Sequence, residues 1–383
     1  MVTMKRLFIH IGMPKTGSSY LQSTFAFNEE DYKKHGLLYP DLSSNHHSTS
    51  SGEVSSGNGL SFAKKIIPAL KEHKSDFNEK DFFLNLDPSY DYLISCEWLV
   101  SMTLEDINRI NMLCGGSHHI HLLVFYRSVV DHIVSNTLQG IKNTFDEPLR
   151  QLIEKAKKGQ RKLINNVISL CKQYSSHSVL RYEETDHNLD KLDKIFFGSE
   201  HITKRIDLER VNLSPEMHQI SVLELAHKLG INQFGMSTKY IDSTYNPQCQ
   251  KFGLSKAEAD GIEQSFNDEI AAINQLADSS NQYQRYKVHP LNKAYESIDI
   301  NDMDVSYLKN LINYYSSKQI KPLFDFLLEV YIDQLYDGDT LLQLPADFDP
   351  IKYLLLNPDL IFARVNPKSH FIAFGNKEGR LYK

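Results

Sequence analysis

Short apolar runs alternate with amphipathic stretches over the first half of the chain. Four short runs are mainly apolar, β-branched or aromatic, which predicts four buried strands. They are residues 7–11, 92–97, 121–126 and 178–183. The stretches between them, residues 18–28, 62–73, 104–113, 153–174 and the run that starts at residue 129, have the pattern of helices. This alternation predicts an α/β fold, a parallel sheet flanked by helices.

The second half of the chain is predicted to be more helical. The composition shifts near residues 283–290, after which two segments at 305–335 and 345–383 form a helical tail. We therefore predict two domains, residues 1–285 and a mostly helical C-terminal module at 286–383. Residues 41–59, rich in Ser, Asn, Gly and His, are predicted to be a loop. Long loops in compact domains tend to be functional or mobile.

The first predicted strand and the first predicted helix are joined by a turn with the sequence GMPKTGSS, residues 12–19. Gly12 and Gly17 allow close approach of the backbone to a ligand. The helix that begins at Ser18 directs its N–H groups and the positive end of its dipole at the same point. Lys15 adds a mobile positive charge, so the turn is predicted to bind a phosphate or sulfate group.

This turn departs from the nucleotide-triphosphate loop G-x-x-x-x-G-K-[ST], because Lys15 comes before the second glycine and Ser18 follows it. The order PKTGSSYLQ at residues 14–22 instead resembles the 5′-phosphosulfate loop of sulfotransferases that use 3′-phosphoadenosine 5′-phosphosulfate (PAPS) as donor. The alternative is an ordinary strand-turn-helix with a surface lysine. The resemblance implies that the donor is held by Lys15, Thr16, Gly17, Ser18 and Ser19.

A second candidate anion site follows the strand at 121–126. Arg127 offers a fork of donors that matches phosphate, and Ser135, about two turns into the next helix, adds a hydroxyl. The pair resembles the 3′-phosphate motif of the sulfotransferases, which implies that both residues bind the donor; the alternative is a salt-bridged arginine and a serine on a helix face. Ligands of parallel sheets bind outside the carboxyl ends of the strands, where residues 12–19, Glu97 and Arg127 are all expected.

Three further segments extend the resemblance, which covers about residues 5–230 in the family's order. Residues 92–97 end in Ser-x-Glu, residues 179–183 read VLRYE, and residues 210–214 contain Asn-x-Ser. The chain departs from the commonest pattern where residues 18–19 are Ser-Ser in place of Thr-Thr and residues 128–129 are Ser-Val in place of Asn-Pro. The first change keeps the hydroxyls, and the second affects only the turn.

Sulfuryl transfer needs positive groups at the bridging oxygen and a base that takes the acceptor's proton. Lys15 and the loop N–H groups are predicted to supply the first. Glu97 is the preferred candidate base, since it resembles a glutamate of glycan-modifying sulfotransferases; its alternative is a capping or ion-paired carboxylate. His46 and His47 are the other candidates, because family members carry a histidine facing the acceptor there, although loop histidines are commonly solvated. His10 is interpreted as a core residue.

Composition limits which partners and which cellular compartment are expected. With 42 Lys and Arg against 48 Asp and Glu, the net charge is −6, so there is no general basic field for nucleic acid or an anionic membrane. The 4 cysteines are far apart without C-x-x-C spacing, which argues against a zinc site or disulfide framework. The sequence has no run of eighteen apolar residues and a poor signal peptide, so we expect a cytoplasmic protein without a membrane span. No metal is obligatory for sulfuryl transfer.

The end of the chain, residues 349–380, resembles a small module of bacterial enzymes that build or decorate surface glycans. Its aromatic side chains are available for packing or for stacking on sugar rings. The alternative is a helical appendage that only stabilises the enzyme or makes it a homodimer.

The sequence therefore favours a PAPS-dependent sulfotransferase on a P-loop-like α/β fold. Its expected acceptor is a hydroxyl or amine of a carbohydrate, such as a bacterial surface polysaccharide. One alternative is a nucleotide or small-molecule kinase, which would need carboxylate-bound magnesium and a lysine after the second glycine. The other is a non-catalytic glycan-binding or scaffold protein on the same fold.

Overall fold

The computed structural model describes residues 4–42, 57–70, 75, 77–144, 149–182, 187–199, 201–206, 213–217, 219–220, 223, 241, 251–288, 292–293, 344–345, 347–357, 359–360, 363 and 365–382. The chain divides into two compact units. The first consists of residues 1–136, 153–212 and 255–288, and the second of residues 137–152, 213–254 and 289–383. The division of the sequence into 1–285 and 286–383 stays a prediction.

A five-stranded parallel sheet lies in the first unit. Its strands are β1 (Lys5–Gly12), β2 (Leu37–Leu38), β3 (Asp91–Cys96), β4 (His118–Tyr126) and β5 (His177–Arg181). Their spatial order is β2-β3-β1-β4-β5, and every pairing is parallel. All six residues of β3 are buried, as is typical of a parallel sheet with both faces covered. The predicted α/β class is confirmed.

Helices connect and flank these strands. The first five are α1 (Ser18–Phe27), α2 (Glu29–Lys34), α3 (Leu60–Ile66), α4 (Glu79–Leu84) and α5 (Leu104–Cys114). They are followed by α6 (Val129–Thr144), α7 (Leu149–Gln173), α8 (His187–Phe197), α9 (Lys256–Ser265) and α10 (Asn267–Leu276). Short 3₁₀ helices span Pro68–Leu70, Glu97–Ser101 and Ser279–Asn281.

An aromatic cluster fixes α1 and α8 against one face of the sheet. Phe8 of β1 packs edge-on against Phe196 of α8, with 4.9 Å between the ring centroids. Phe25 of α1 lies 6.4 Å from the same Phe196 ring. All three rings are almost completely removed from solvent, and burial of large aromatic side chains is the main stabilising contribution of such a core. The start of α1 is thereby held in a fixed position beyond the end of β1.

His10 lies on the same face and is fully buried. Its Nδ1 is 2.8 Å from the Oγ of Ser95 on β3, and Gln22 of α1 donates to that same hydroxyl at 3.2 Å. Burial lowers the pKa of His10 to about 4, because the charged ring would lose its hydration. His10 is therefore a neutral core residue near pH 7, in agreement with its interpretation from the sequence.

Asn58 completes the edge of the sheet beyond the short strand β2. Pairing of β2 with β3 ends at Tyr92. Further along β3, the Nδ2 group of Asn58 donates to the carbonyl of Leu93 at 3.0 Å, and its Oδ1 accepts from the N–H of Ser95 at 2.8 Å. The side-chain amide thus replaces a neighbouring strand for these two backbone groups, which would otherwise be buried without partners.

The second unit contains a small parallel pairing of β6 (Lys251–Phe252) with β7 (Asn292–Lys293). Near the chain end are α11 (Pro350–Leu356), α12 (Pro367–His370) and one π-helical turn, Phe371–Gly375. The hydroxyl of Tyr353 lies 2.8 Å from Nδ1 of His370. The helical nature of the segment at 305–335 stays a prediction, because that segment lies outside the described residues.

No helix among the residues described is both long enough and apolar enough to cross a membrane.

We expect Asn58→Ala to lower the free energy of unfolding by about 2–4 kcal/mol, because two backbone groups of β3 lose their partners inside the protein. Urea denaturation measures this change. Asn85→Ala is the matched control, since the Asn85 amide donates to the Asp81 carbonyl at 2.8 Å on an exposed surface. Equal effects of the two substitutions would contradict the assignment of Asn58 to the sheet edge.

Candidate anion-binding site

The order of the strands determines where a ligand can enter this sheet. The chain leaves β1 toward the β2 edge, whereas it leaves β3 toward β4 on the opposite side of β1. Where the connections that follow two adjacent strands run in opposite directions across the sheet, a crevice forms between the carboxyl ends of those strands. The loop after β1 and Glu97 after β3 both lie at this crevice, as the sequence predicted for the edge.

The loop between β1 and α1 has an unusual backbone conformation. Lys15 and Gly17 both adopt left-handed values, with φ of 67° and 68°. Thr16 is buried, and its hydroxyl donates to the carbonyl of Met13 at 2.6 Å. Helix α1 then begins at Ser18, and its N-cap residue Gly17 makes no side-chain capping hydrogen bond. The N-terminus of α1 has the geometry and the positive dipole end that favour an anion.

Tyr182 supports this loop from the end of β5. A Cβ atom placed at Gly17 would lie 2.5 Å from Cε2 and 2.6 Å from the hydroxyl oxygen of Tyr182, so the ring packs directly on the glycine backbone. The guanidinium carbon of Arg127 lies 5.8 Å from the centroid of the same ring. The sequence pointed to Tyr182 only as part of a family-like strand end, and its contact with the loop emerges from the fold.

Arg127 contacts the loop directly. Its Nη1 donates to the carbonyl of Lys15 at 2.9 Å. After Arg127, the backbone N–H of Val129 donates to the hydroxyl of Tyr283 at 3.1 Å, so the start of α6 is held by the segment after α10. The two candidate anion-binding elements therefore meet at one edge of the sheet.

The charges around the loop are concentrated and partly removed from water. Burial lowers the pKa of Lys15, and Arg127 lowers it further, whereas Glu97 acts in the opposite direction. Beneath them, burial lowers the pKa of His132 to about 3, with a further contribution from Arg127, while the Pro14 backbone opposes the change. His132 is thus neutral near pH 7, and the cationic charge here comes from Lys15 and Arg127.

Glu97 touches the loop through a side-chain hydrogen bond. The hydroxyl of Ser18 donates to Oε1 of Glu97. Because Lys15 also interacts electrostatically with Glu97, the carboxylate lies within the field of the loop lysine. The site therefore combines two cations, one carboxylate and a helix N-terminus, an arrangement that can bind an anion and accept a proton next to it.

The structure brings together most of the predicted site residues. Ser19 lies half-buried in the first turn of α1. Ser135 is half-buried on α6, six residues after Val129 and therefore about 9 Å further along the helix axis. His46 and His47 lie outside the described residues. The residues that meet at the edge are Lys15, Thr16, Gly17, Ser18, Glu97 and Arg127.

Three residues of this region were not predicted from the sequence to belong to the site. Tyr182 packs on the loop, His132 lies beneath it, and Asn58 holds the backbone of β3 just before Glu97. The resemblance of residues 179–183 to a strand end of the sulfotransferases was the one available indication of Tyr182. Within the described residues, no group of three or more His, Cys, Asp or Glu side chains is arranged to hold a metal ion.

Comparisons of this chain with models of protein families, with curated proteins and with solved structures find no match.

We expect Gly17→Ala to destabilise the protein more than Gly198→Ala. Both glycines have positive φ, which costs about 1–2 kcal/mol for an L-residue, but open space surrounds a Cβ at Gly198 whereas Tyr182 blocks one at Gly17. Overpacking adds about 1–3 kcal/mol at Gly17. Urea denaturation of both variants measures the difference, and equal losses would mean that Tyr182 does not confine the loop.

Proposed function

We propose that this protein is a PAPS-dependent sulfotransferase with a carbohydrate acceptor, and that its fold is P-loop-like. The observation that carries the proposal is the hydrogen bond from Arg127 to the carbonyl of Lys15. It joins the element that resembles the 5′-phosphosulfate loop to the element that resembles the 3′-phosphate motif. A nucleotide whose ribose carries both a 3′-phosphate and a 5′-phosphosulfate needs anion-binding groups of this kind side by side.

The donor set of the loop fits such a nucleotide. The first N–H groups of α1 and the ammonium of Lys15 favour the phosphosulfate end, because both stabilise negative charge. The guanidinium of Arg127 favours the 3′-phosphate, which it can bind with two parallel hydrogen bonds. Ser135 is assigned to the same phosphate from the resemblance alone.

The reaction requires stabilisation of a leaving group and removal of a proton. When bound, PAPS supplies an activated sulfuryl group. Lys15 and the α1 N-terminus stabilise the charge that develops on the bridging oxygen, since Lys15 is part of the loop and α1 begins at its end. Glu97 accepts the proton of the acceptor hydroxyl or amine, and its contact with Ser18 places it beside the loop. His46 remains the alternative base.

An exposed aromatic side chain next to the candidate base supports a carbohydrate acceptor. Trp98 is 38% exposed and follows Glu97 in the 3₁₀ helix Glu97–Ser101. Indole rings offer a large apolar face with a polar edge, which is suited to stacking on a sugar ring. The acceptor would then be held within reach of the carboxylate.

Calorimetry with 3′-phosphoadenosine 5′-phosphate (PAP) and with ATP tests the proposal. Binding of PAP without metal supports it. Preference for ATP with magnesium would support a kinase instead, and binding of neither nucleotide would support a glycan-binding protein without catalysis.

We expect Lys15→Met to weaken PAP binding by about 10–100-fold, since a hydrogen bond to a charged group contributes about 1.5–3 kcal/mol. The stability of the nucleotide-free protein should be unchanged or higher, because the substitution removes a partly buried charge beside Arg127. Calorimetry and urea denaturation measure these effects. Lys33→Met on the exposed face of α2 is the control, and equal affinities of both variants would exclude Lys15 from the site.

We expect Glu97→Gln to lower sulfuryl transfer by about 10²–10⁴-fold, the usual contribution of a general base. PAP binding should be retained, because a negative charge beside Lys15 is removed. Transfer is measured with radiolabelled PAPS and a panel of unsulfated polysaccharides. Glu105→Gln, on an exposed part of α5, is the control. Undiminished transfer by Glu97→Gln would leave His46 or His47 as the base.

A further inference from the structure

Ser18 lies between the anion-binding loop and the candidate base. It is the first residue of α1, directly after the left-handed Gly17, and is 2% exposed. The sequence predicted its hydroxyl as a donor-binding group, whereas the structure directs that hydroxyl to Oε1 of Glu97. The hydroxyl proton of Ser18 could therefore be donated either to this carboxylate or to an anion bound in the loop.

The packing around Gly12 leaves room for this contact. A Cβ atom at Gly12 would lie 3.2 Å from Cβ of Ser18 and 3.5 Å from Cγ of Glu97. Gly12 does not have a positive φ, so its backbone conformation does not require glycine. A side chain at Gly12 would press on Ser18 and touch Glu97, so the glycine leaves both side chains free to approach each other.

We propose that Ser18 is a positioning residue for Glu97, and that its hydroxyl switches its hydrogen bond from the carboxylate to an anionic oxygen of the bound donor. This inference rests on the proposed sulfotransferase function. A serine hydroxyl has one proton to donate, so it cannot serve both acceptors at once. A carboxylate oxygen that accepts the serine proton is less available to a second proton. Donor binding therefore frees Oε1 of Glu97 to take the proton of the acceptor.

The transfer step then follows with a balanced exchange of bonds. The acceptor oxygen forms a bond to sulfur while the bond between sulfur and the 5′-phosphate oxygen breaks. The acceptor's proton passes to Glu97, and PAP leaves with the electron pair of the broken bond. Because Ser18 releases Glu97 only when the sulfuryl donor binds, Glu97 abstracts a proton less readily when no donor is present.

The titratable groups near Glu97 affect it differently from the uncharged hydroxyl of Ser18. Lys15 faces it from the loop, Cys96 precedes it on β3, and Lys64 of α3 faces Cys96. Burial raises the pKa of the Cys96 thiol to about 12, so this thiol stays protonated near neutral pH. Lys15 carries a charge that acts on donor and base together. Ser18 is uncharged, so it can exchange partners without a change in the net charge of the site.

Nuclear magnetic resonance of protein labelled with ¹³C at the glutamate carboxyl groups tests the switch. The Glu97 signal is assigned by its loss in Glu97→Gln, and its carboxyl chemical shift is followed at fixed pH with and without PAP. We expect Ser18→Ala to change this chemical shift in the nucleotide-free protein, because the carboxylate loses a hydrogen-bond donor. The change on adding PAP should be smaller in Ser18→Ala than in the wild type.

Two further variants separate a positioning role from a structural one. Ser18→Thr retains the hydroxyl and should restore the wild-type chemical shift of the Glu97 carboxyl group. Ser101→Ala, at the exposed end of the 3₁₀ helix that begins with Glu97, should leave this chemical shift unchanged. An unchanged chemical shift in nucleotide-free Ser18→Ala would overturn the inference. Failure of the wild type to bind PAP would instead overturn the proposed function, and the change in the nucleotide-free variant distinguishes the two results.

Discussion

Parallel pairing of β1 on both sides is the constraint on which the site depends. In the register of the sheet, Ile11 is opposite Cys96 on one side, and Gly12 is opposite Phe125 on the other. Glu97 and Arg127 therefore follow their strands at the level where the loop begins. The backbone hydrogen bonds between β3, β1 and β4 place the loop, Glu97 and Arg127 at the same edge of the sheet.

The concentration of positive charge at this edge of the sheet has an electrostatic cost. Lys15 and Arg127 lie close enough to lower the pKa of the lysine, and burial adds to that effect. Concentrated like charges away from water are unfavourable in the absence of a counter-ion. The carboxylate of Glu97 offsets part of this cost. An anion with two phosphate groups would offset more of it, which is the physical argument for a ligand with two anionic groups.

The hydrogen bonds behind the site give it rigidity. Asn58 satisfies the backbone of β3 two residues before Glu97, and Ser95 joins β3 to His10 and thereby to β1. Each bond is buried, so a displacement of β3 would leave polar groups without partners. The same amide of Asn58 donates to the carbonyl of Pro40 at 2.8 Å, so Asn58 also joins β3 to the residues that follow β2.

The sequence by itself determined the class of the fold and the location of the loop. Periodicity identified β1, β3, β4 and β5, because buried parallel strands read as continuous apolar runs. The two glycines and Lys15 identified the loop at residues 12–19. They lie between a predicted strand and a predicted helix, and such a short anion-binding turn can be recognised from local sequence. Glu97 and Arg127 were identified for the same reason, as polar residues that end apolar strands.

Only the tertiary structure decided which of these groups touch. The hydrogen bond between Ser18 and Glu97 joins residues far apart in sequence, and the packing of Tyr182 on Gly17 depends on the order of strands. The replacement of a strand by the amide of Asn58 likewise depends on where β2 ends. Spacing along the chain carries no information about such contacts, because they are set by sheet order and register rather than by local periodicity.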